Sequence, residues 1–108
     1  MNDLLKSITD APGTSGYEDD VREIIKTEIK KYVDSIKVDK VGNLIASKGS
    51  GSPKILLIAH MDKLGLMVKH IDEKGFVRFE PVGGWDQRTL PSQRVVIHGS
   101  KKPVSGVI

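Results

Sequence analysis

The sequence contains no cysteine, which excludes a disulfide framework and any metal centre held by thiolates. Aromatic residues are only 5% of it, and none interleaves with a basic stripe, so a nucleic-acid-binding module has little support. No apolar run approaches the ~20 residues that a membrane-spanning helix requires. Residues Met1 to Lys6 do not run from a basic region into an apolar stretch, so no secretory signal is read and a cytoplasmic location is expected. Blocks of like charge are also missing. The 17 basic and 14 acidic side chains, net +3, are mixed along the chain, which describes a solvated surface and not a membrane-binding patch. There is no Ser/His/Asp order and no nucleophile elbow. The glycine-rich Gly49-Ser50-Gly51-Ser52-Pro53 has no phosphate-binding spacing and reads as a loop.

What is present suits a globular domain: 108 residues, 29% charged and 38% apolar. Leu4, Leu5 and Ile8 share one face of a short helix over residues 3–10, ended by Pro12-Gly13. Ser15 followed by Glu18 reads as a capping box opening a longer helix near Gly16. Glu18, Asp19 and Asp20 then sit at the positive end of its dipole, and Lys30 and Lys31 at the negative end. Val21, Ile24, Ile25, Ile29, Tyr32 and Val33 form an apolar stripe at helical spacing, read as core. The period then changes to two. Ile36 and Val38, then Leu44 to Ala46, predict a hairpin turning at Val41-Gly42-Asn43. Leu66 to Ile71 and Phe76 to Glu80 predict a second hairpin about Asp72-Glu73-Lys74-Gly75. Arg94 to His98 and Val104 to Ile108 predict two further strands. Helices come first and a β meander second, which sets a boundary near residue 66.

The stretch from Pro53 to Gly65 organises the rest. Ile55 to Ala59 is an unbroken apolar run behind a Gly/Ser/Pro break, the pattern of a strand buried on both faces. It ends on His60, with Asp62 two residues on. In open α/β sheets, ligand and catalytic groups gather at the carboxyl ends of strands. An imidazole is a common ligand of zinc or cobalt, and a carboxylate on its other nitrogen fixes the tautomer. A single such ligand does not hold a metal, since catalytic zinc takes about three protein ligands. The plainer alternative is a histidine hydrogen-bonded at a strand end, with the aspartate capping the next turn. His70 and His98 lie in half-polar strands and are expected to face solvent. Trp85 could stack on a ligand or pack the edge of its own domain. A strand apolar on both faces needs covering layers and neighbouring strands. Two helices are few for that, so the chain reads as part of a larger fold that stops in mid-strand at Ser105 to Ile108.

Five segments together resemble the tetrahedral-type metalloaminopeptidases, the deblocking or glutamyl aminopeptidases also described as endoglucanases and cellulases. They are Ala11-Pro12-Gly13-Thr14-Ser15-Gly16-Tyr17-Glu18, Val38 to Ala46, Ala59-His60-Met61-Asp62-Lys63-Leu64-Gly65 through Val68, Gly83-Gly84-Trp85-Asp86, and Leu90 to Val95. The resemblance implies an α/β, aminopeptidase-like (phosphorylase/hydrolase-like) core portion over residues 1–66. It implies the start of an inserted β-rich assembly domain over residues 67–108. It further implies two divalent metal ions, zinc or cobalt, per complete subunit, bridged by a carboxylate and a water. His60 would be a ligand of one metal, facing a pocket that these residues half enclose, and Asp62 would orient it. The other ligands and a general-base glutamate belong to the later part of such chains, or to a second chain. Peptides are the implied substrates and a twelve-subunit tetrahedral homo-oligomer the implied assembly, with neither nucleic acid nor membrane as partner. Lys63 departs from the acidic or amide residue of many relatives, which would change the charge at the mouth of the site.

Three readings result. One is the N-terminal portion of a two-metal aminopeptidase that is inactive as this chain alone. The second is a non-catalytic truncated fragment that only assembles with partner subunits. The third, the least supported, is a small basic β-rich binding module.

Overall fold

A computed structural model of the chain describes residues 2–108. Helix α1 spans Asn2–Asp10 and helix α2 Asp19–Ile29, the latter extended by a 3-10 turn at Lys30–Tyr32. Three antiparallel hairpins follow: β1 (Ser35–Val38) with β2 (Leu44–Ser47), β3 (Gly65–Ile71) with β4 (Val77–Val82), and β5 (Arg94–Ile97) with β6 (Val104–Val107). Both predicted helices and the strands predicted over residues 36–46, 66–80 and 94–108 are therefore present, within a few residues of their expected limits.

The helix opening differs from the expected capping box. Glu18, not Ser15, is the residue before the first helical turn, and its carboxylate turns back to accept the N–H of Gly16 at 2.7 Å. The Ser15 hydroxyl is engaged elsewhere. Asp19 and Asp20 do occupy the first turn, where acidic groups complement the helix dipole. Of the apolar stripe, Val21 is the fully buried member, at 2% exposure. Arg22, on the same helix, donates from Nε to the carbonyl of Gly42 at 2.7 Å and pairs with Asp19. It thereby ties α2 to the β1–β2 turn.

The first two hairpin turns use one device. Asp39 accepts the N–H groups of Val41 and Asn43, both at 2.9 Å. Asp72 accepts those of Lys74 and Phe76 at 3.0 and 2.9 Å. In each turn the third residue after the aspartate is a glycine at positive φ, Gly42 at 98° and Gly75 at 86°, a conformation open to glycine without strain. In β3–β4 the register shifts between Val68 and His70, which leaves Lys69 as a bulge.

The expected buried strand over Ile55 to Ala59 is not formed within this chain. Residues 54–60 belong to no strand, and Ile55, Leu56, Leu57 and Ile58 are 80–90% exposed. The cause is pairing. Each described strand is spent on its own hairpin neighbour, so the apolar run meets neither a ladder partner nor a covering layer. Among the described residues, the buried apolar side chains are Ala11, Val21 and Leu90. The radius of gyration, 17.5 Å, exceeds the ~13 Å of a compact chain of ~100 residues.

Candidate metal-ligand site

Directly after the free run, the backbone becomes closely held. The amide of Lys63 donates to the carbonyl of Gly13 at 2.8 Å, and Thr14 bridges to Lys63 in parallel. Gly65 lies flat against Thr14: a Cβ there would stand 2.0 Å from Thr14 Oγ1 and 2.8 Å from its Cβ. On the other side, Trp85 Nε1 donates to the carbonyl of Gly65 at 2.9 Å. Gly83, at φ 90°, leaves room for the Leu64 side chain. Residues 61–65 thus form a strap gripped by the Ala11–Gly16 segment and by Gly83–Trp85. Trp85 is half-buried, and its ring nitrogen fixes the start of β3.

The strap places His60 and Asp62 together. His60 Nδ1 lies 2.9 Å from Asp62 Oδ1 and 3.1 Å from the Asp62 carbonyl oxygen. Both are acceptors, so Nδ1 carries a proton, and in the neutral ring Nε2 keeps the lone pair. The imidazole is 86% exposed, so the described residues do not form the half-enclosing pocket expected around it. The second oxygen of Asp62 accepts the hydroxyl of Ser15 at 2.5 Å. The Ser15 hydroxyl, and after it the His60 N–H, hold the Asp62 carboxyl below the usual carboxylate range, against a smaller opposing effect of burial.

Lys63 does not project over this pair. Its ammonium turns back to the carbonyl of Thr9 near the end of α1, at 2.8 Å. His70 and His98 are exposed. Glu18, Asp19 and Asp20 remain at the opening of α2. Among the described residues, no group of three histidine or acidic side chains converges as a metal cage. The site is one oriented imidazole with its supporting carboxylate and hydroxyl. Ser15 is the member missed by the sequence reading. Its partner is 47 residues away, and the local Ser-x-x-Glu pattern offered a nearer explanation.

A profile of the M42 glutamyl aminopeptidases matches residues 42–108, more than half of the chain. The chain belongs to this family. It is 41% identical, over 98% of its length, to the lysyl aminopeptidase of Pyrococcus furiosus, of which it spans 31%. Its fold matches a TET aminopeptidase of a marine-sediment Thaumarchaeota archaeon with a TM-score of 0.92 at 36% identity, over 98% of this chain and 30% of that one. It also matches the TET1 peptidase of Pyrococcus horikoshii, which can assemble into a tetrahedron or a large octahedral shell. That TM-score is 0.90 at 45% identity, over 99% of this chain and 32% of that one. The chain thus spans under a third of the length of each of these relatives.

Proposed function

We propose that this M42 chain supplies the N-terminal portion of a co-catalytic two-metal aminopeptidase that removes N-terminal residues from peptides. The observation that carries the reading is His60, with Nδ1–H held by Asp62 and Nε2 free. That is the tautomer and orientation a divalent metal requires of an imidazole ligand. His60 is then a ligand of one metal ion, zinc or cobalt, and Asp62 orients it. The fit is that of one ligand. Catalytic zinc takes about three protein ligands, so the remaining ligands and a general-base glutamate come from further residues of the same polypeptide or from a second chain. Once bound, the metal pair would polarise the scissile carbonyl and acidify a water. What these residues contribute is to hold the imidazole proton on Nδ1 and aim Nε2 outward.

In this reading residues 1–66 belong to the catalytic α/β domain, and Ile55 to Ala59 become a sheet strand once neighbours flank them. Residues 67–108, with their two hairpins, begin a β-rich assembly domain. The assembling relative from Pyrococcus horikoshii supports a homo-oligomer, tetrahedral in arrangement, and a cytoplasmic location is proposed beside it. No described helix is long and apolar enough to cross a membrane.

The test is metal content. In the full-length protein, His60→Ala is expected to lower the bound metal from two ions per subunit to one, while the 108-residue chain alone, given cobalt or zinc, shows only background aminopeptidase activity. Two ions retained by His60→Ala would remove His60 from the ligand set. Activity from the isolated chain would show that one imidazole and its neighbours suffice, and the account of further ligands would be wrong.

A further inference from the structure

The strongest feature not absorbed by that reading is the hydroxyl of Ser15. It lies on the segment before α2, 47 residues from Asp62, yet donates to Asp62 Oδ2 at 2.5 Å. The other carboxylate oxygen, Oδ1, accepts the His60 Nδ1–H at 2.9 Å. A carboxylate bound through one oxygen can still swing about its side-chain torsion, which is broad and soft. Bound through both, its plane is fixed. The approach of Ser15 is itself built in. Gly13 accepts the Lys63 amide, and Thr14 packs on Gly65 where no Cβ intervenes. The backbone that delivers the hydroxyl is therefore locked to the strap that delivers the carboxylate.

We infer that Ser15 is a positioning residue for the metal site: its hydroxyl clamps the free oxygen of Asp62, and through Asp62 it fixes the tautomer and aim of the His60 ring. This rests on the reading of His60 as a ligand and extends it one residue outward. Partners of this kind, beyond the ligands themselves, typically change metal affinity by 10–100-fold.

The experiment uses the full-length protein with Ser15→Ala, Ser15→Thr and His60→Ala, titrated with Co²⁺ or Zn²⁺ by calorimetry. The His60 ring is followed by ¹⁵N NMR in the metal-free state. Wild type is expected as the Nδ1–H tautomer. Ser15→Ala is expected to bind one of the two metals about tenfold or more weakly and to show a mixed tautomer signal. Ser15→Thr, which keeps the hydroxyl, is expected to restore both. Unchanged affinity and tautomer in Ser15→Ala would overturn the role of Ser15, and if His60→Ala still lost a metal, the ligand assignment would stand without it. Full metal content in His60→Ala would instead sink the ligand assignment itself. Should Ser15→Ala fail to fold, the wild-type spectrum still decides, because an Nε2–H tautomer for His60 contradicts the Ser15–Asp62–His60 chain.

Discussion

Residues 54–58 and 61–65 adjoin in sequence and differ in almost everything that holds a backbone in place. The first is nearly all apolar, and its four large side chains are 80–90% exposed. The second includes two charged residues, yet it is fastened by the Gly13 carbonyl on one side and Trp85 on the other. Apolar composition sets what a segment gains once covered; it does not provide the cover. In this chain cover came to the strap, whose partners are two short segments brought in from residues 11–16 and 83–85. It did not come to the run, whose pattern calls for a sheet on both edges.

The largest effect expected from breaking this contrast is at Gly65. An alanine Cβ there would meet Thr14 at 2.0–2.8 Å. Thr14 is β-branched and has little rotameric freedom with which to yield. Gly65→Ala is expected to cost about 1–3 kcal/mol, the usual range for overpacking, read as a lower urea midpoint of the 108-residue chain. Leu57→Ala, in the free run, is expected to stay within about 0.5 kcal/mol of wild type, as surface substitutions do. Equal losses at the two positions would mean that the run is packed after all.

A smaller but more local effect is expected in hydrogen exchange. In the isolated chain the amide of Lys63, bonded to Gly13 at 2.8 Å, should be protected together with the β3–β4 ladder. The amides of Leu56, Leu57 and Ile58 should exchange at close to unfolded rates, at least roughly tenfold faster, because nothing closes over them. In the full-length protein the same three amides should gain protection if the run is a sheet strand there. Uniform protection from Leu56 to Lys63 in the isolated chain would erase the contrast. Absence of protection in the full-length protein would remove the case for a strand.

The same contrast marks what was legible in the sequence. Both helices and all three hairpins were, because a 3.6 or 2.0 period and a glycine-bearing turn are local signals, satisfied by residues a few positions apart. His60 with Asp62 was legible for the same reason: two positions along a chain, one pair of atoms. Ser15 was not. Ser-x-x-Glu is a valid capping signal, but here the glutamate serves the Gly16 amide and pairs with Arg22, and the serine answers a carboxylate that no local pattern could point to. The Lys63 partner lay equally beyond any local pattern: its ammonium donates to the carbonyl of Thr9, 54 residues back. The buried strand read from Ile55 to Ala59 is not formed, because a strand needs partners that a local pattern does not supply and each described strand is paired within its own hairpin.

The smallest effect is expected under acid, and it separates a hold based on charge from one based on backbone. Asp39 closes the β1–β2 turn, and its carboxyl lies below the usual range mainly because the Asn43 side-chain amide donates to it, followed by the Asn43 backbone N–H. A depressed folded-state value means that the contribution is complete above the ordinary aspartate value of ~3.9. It is lost as pH falls through the lower, folded value. The Val41 and Asn43 amide shifts, followed by NMR from pH 6 downward, should therefore move with a midpoint below that of an unfolded aspartate. The Lys63 amide, whose acceptor is the Gly13 carbonyl, should keep its protection through that same window. A midpoint at or above the ordinary value would mean that Asp39 gains nothing from Asn43. If the Lys63 amide were released together with the turn, the strap would depend on ionised carboxylates and not on the interlocked backbone of Gly13, Thr14 and Gly65.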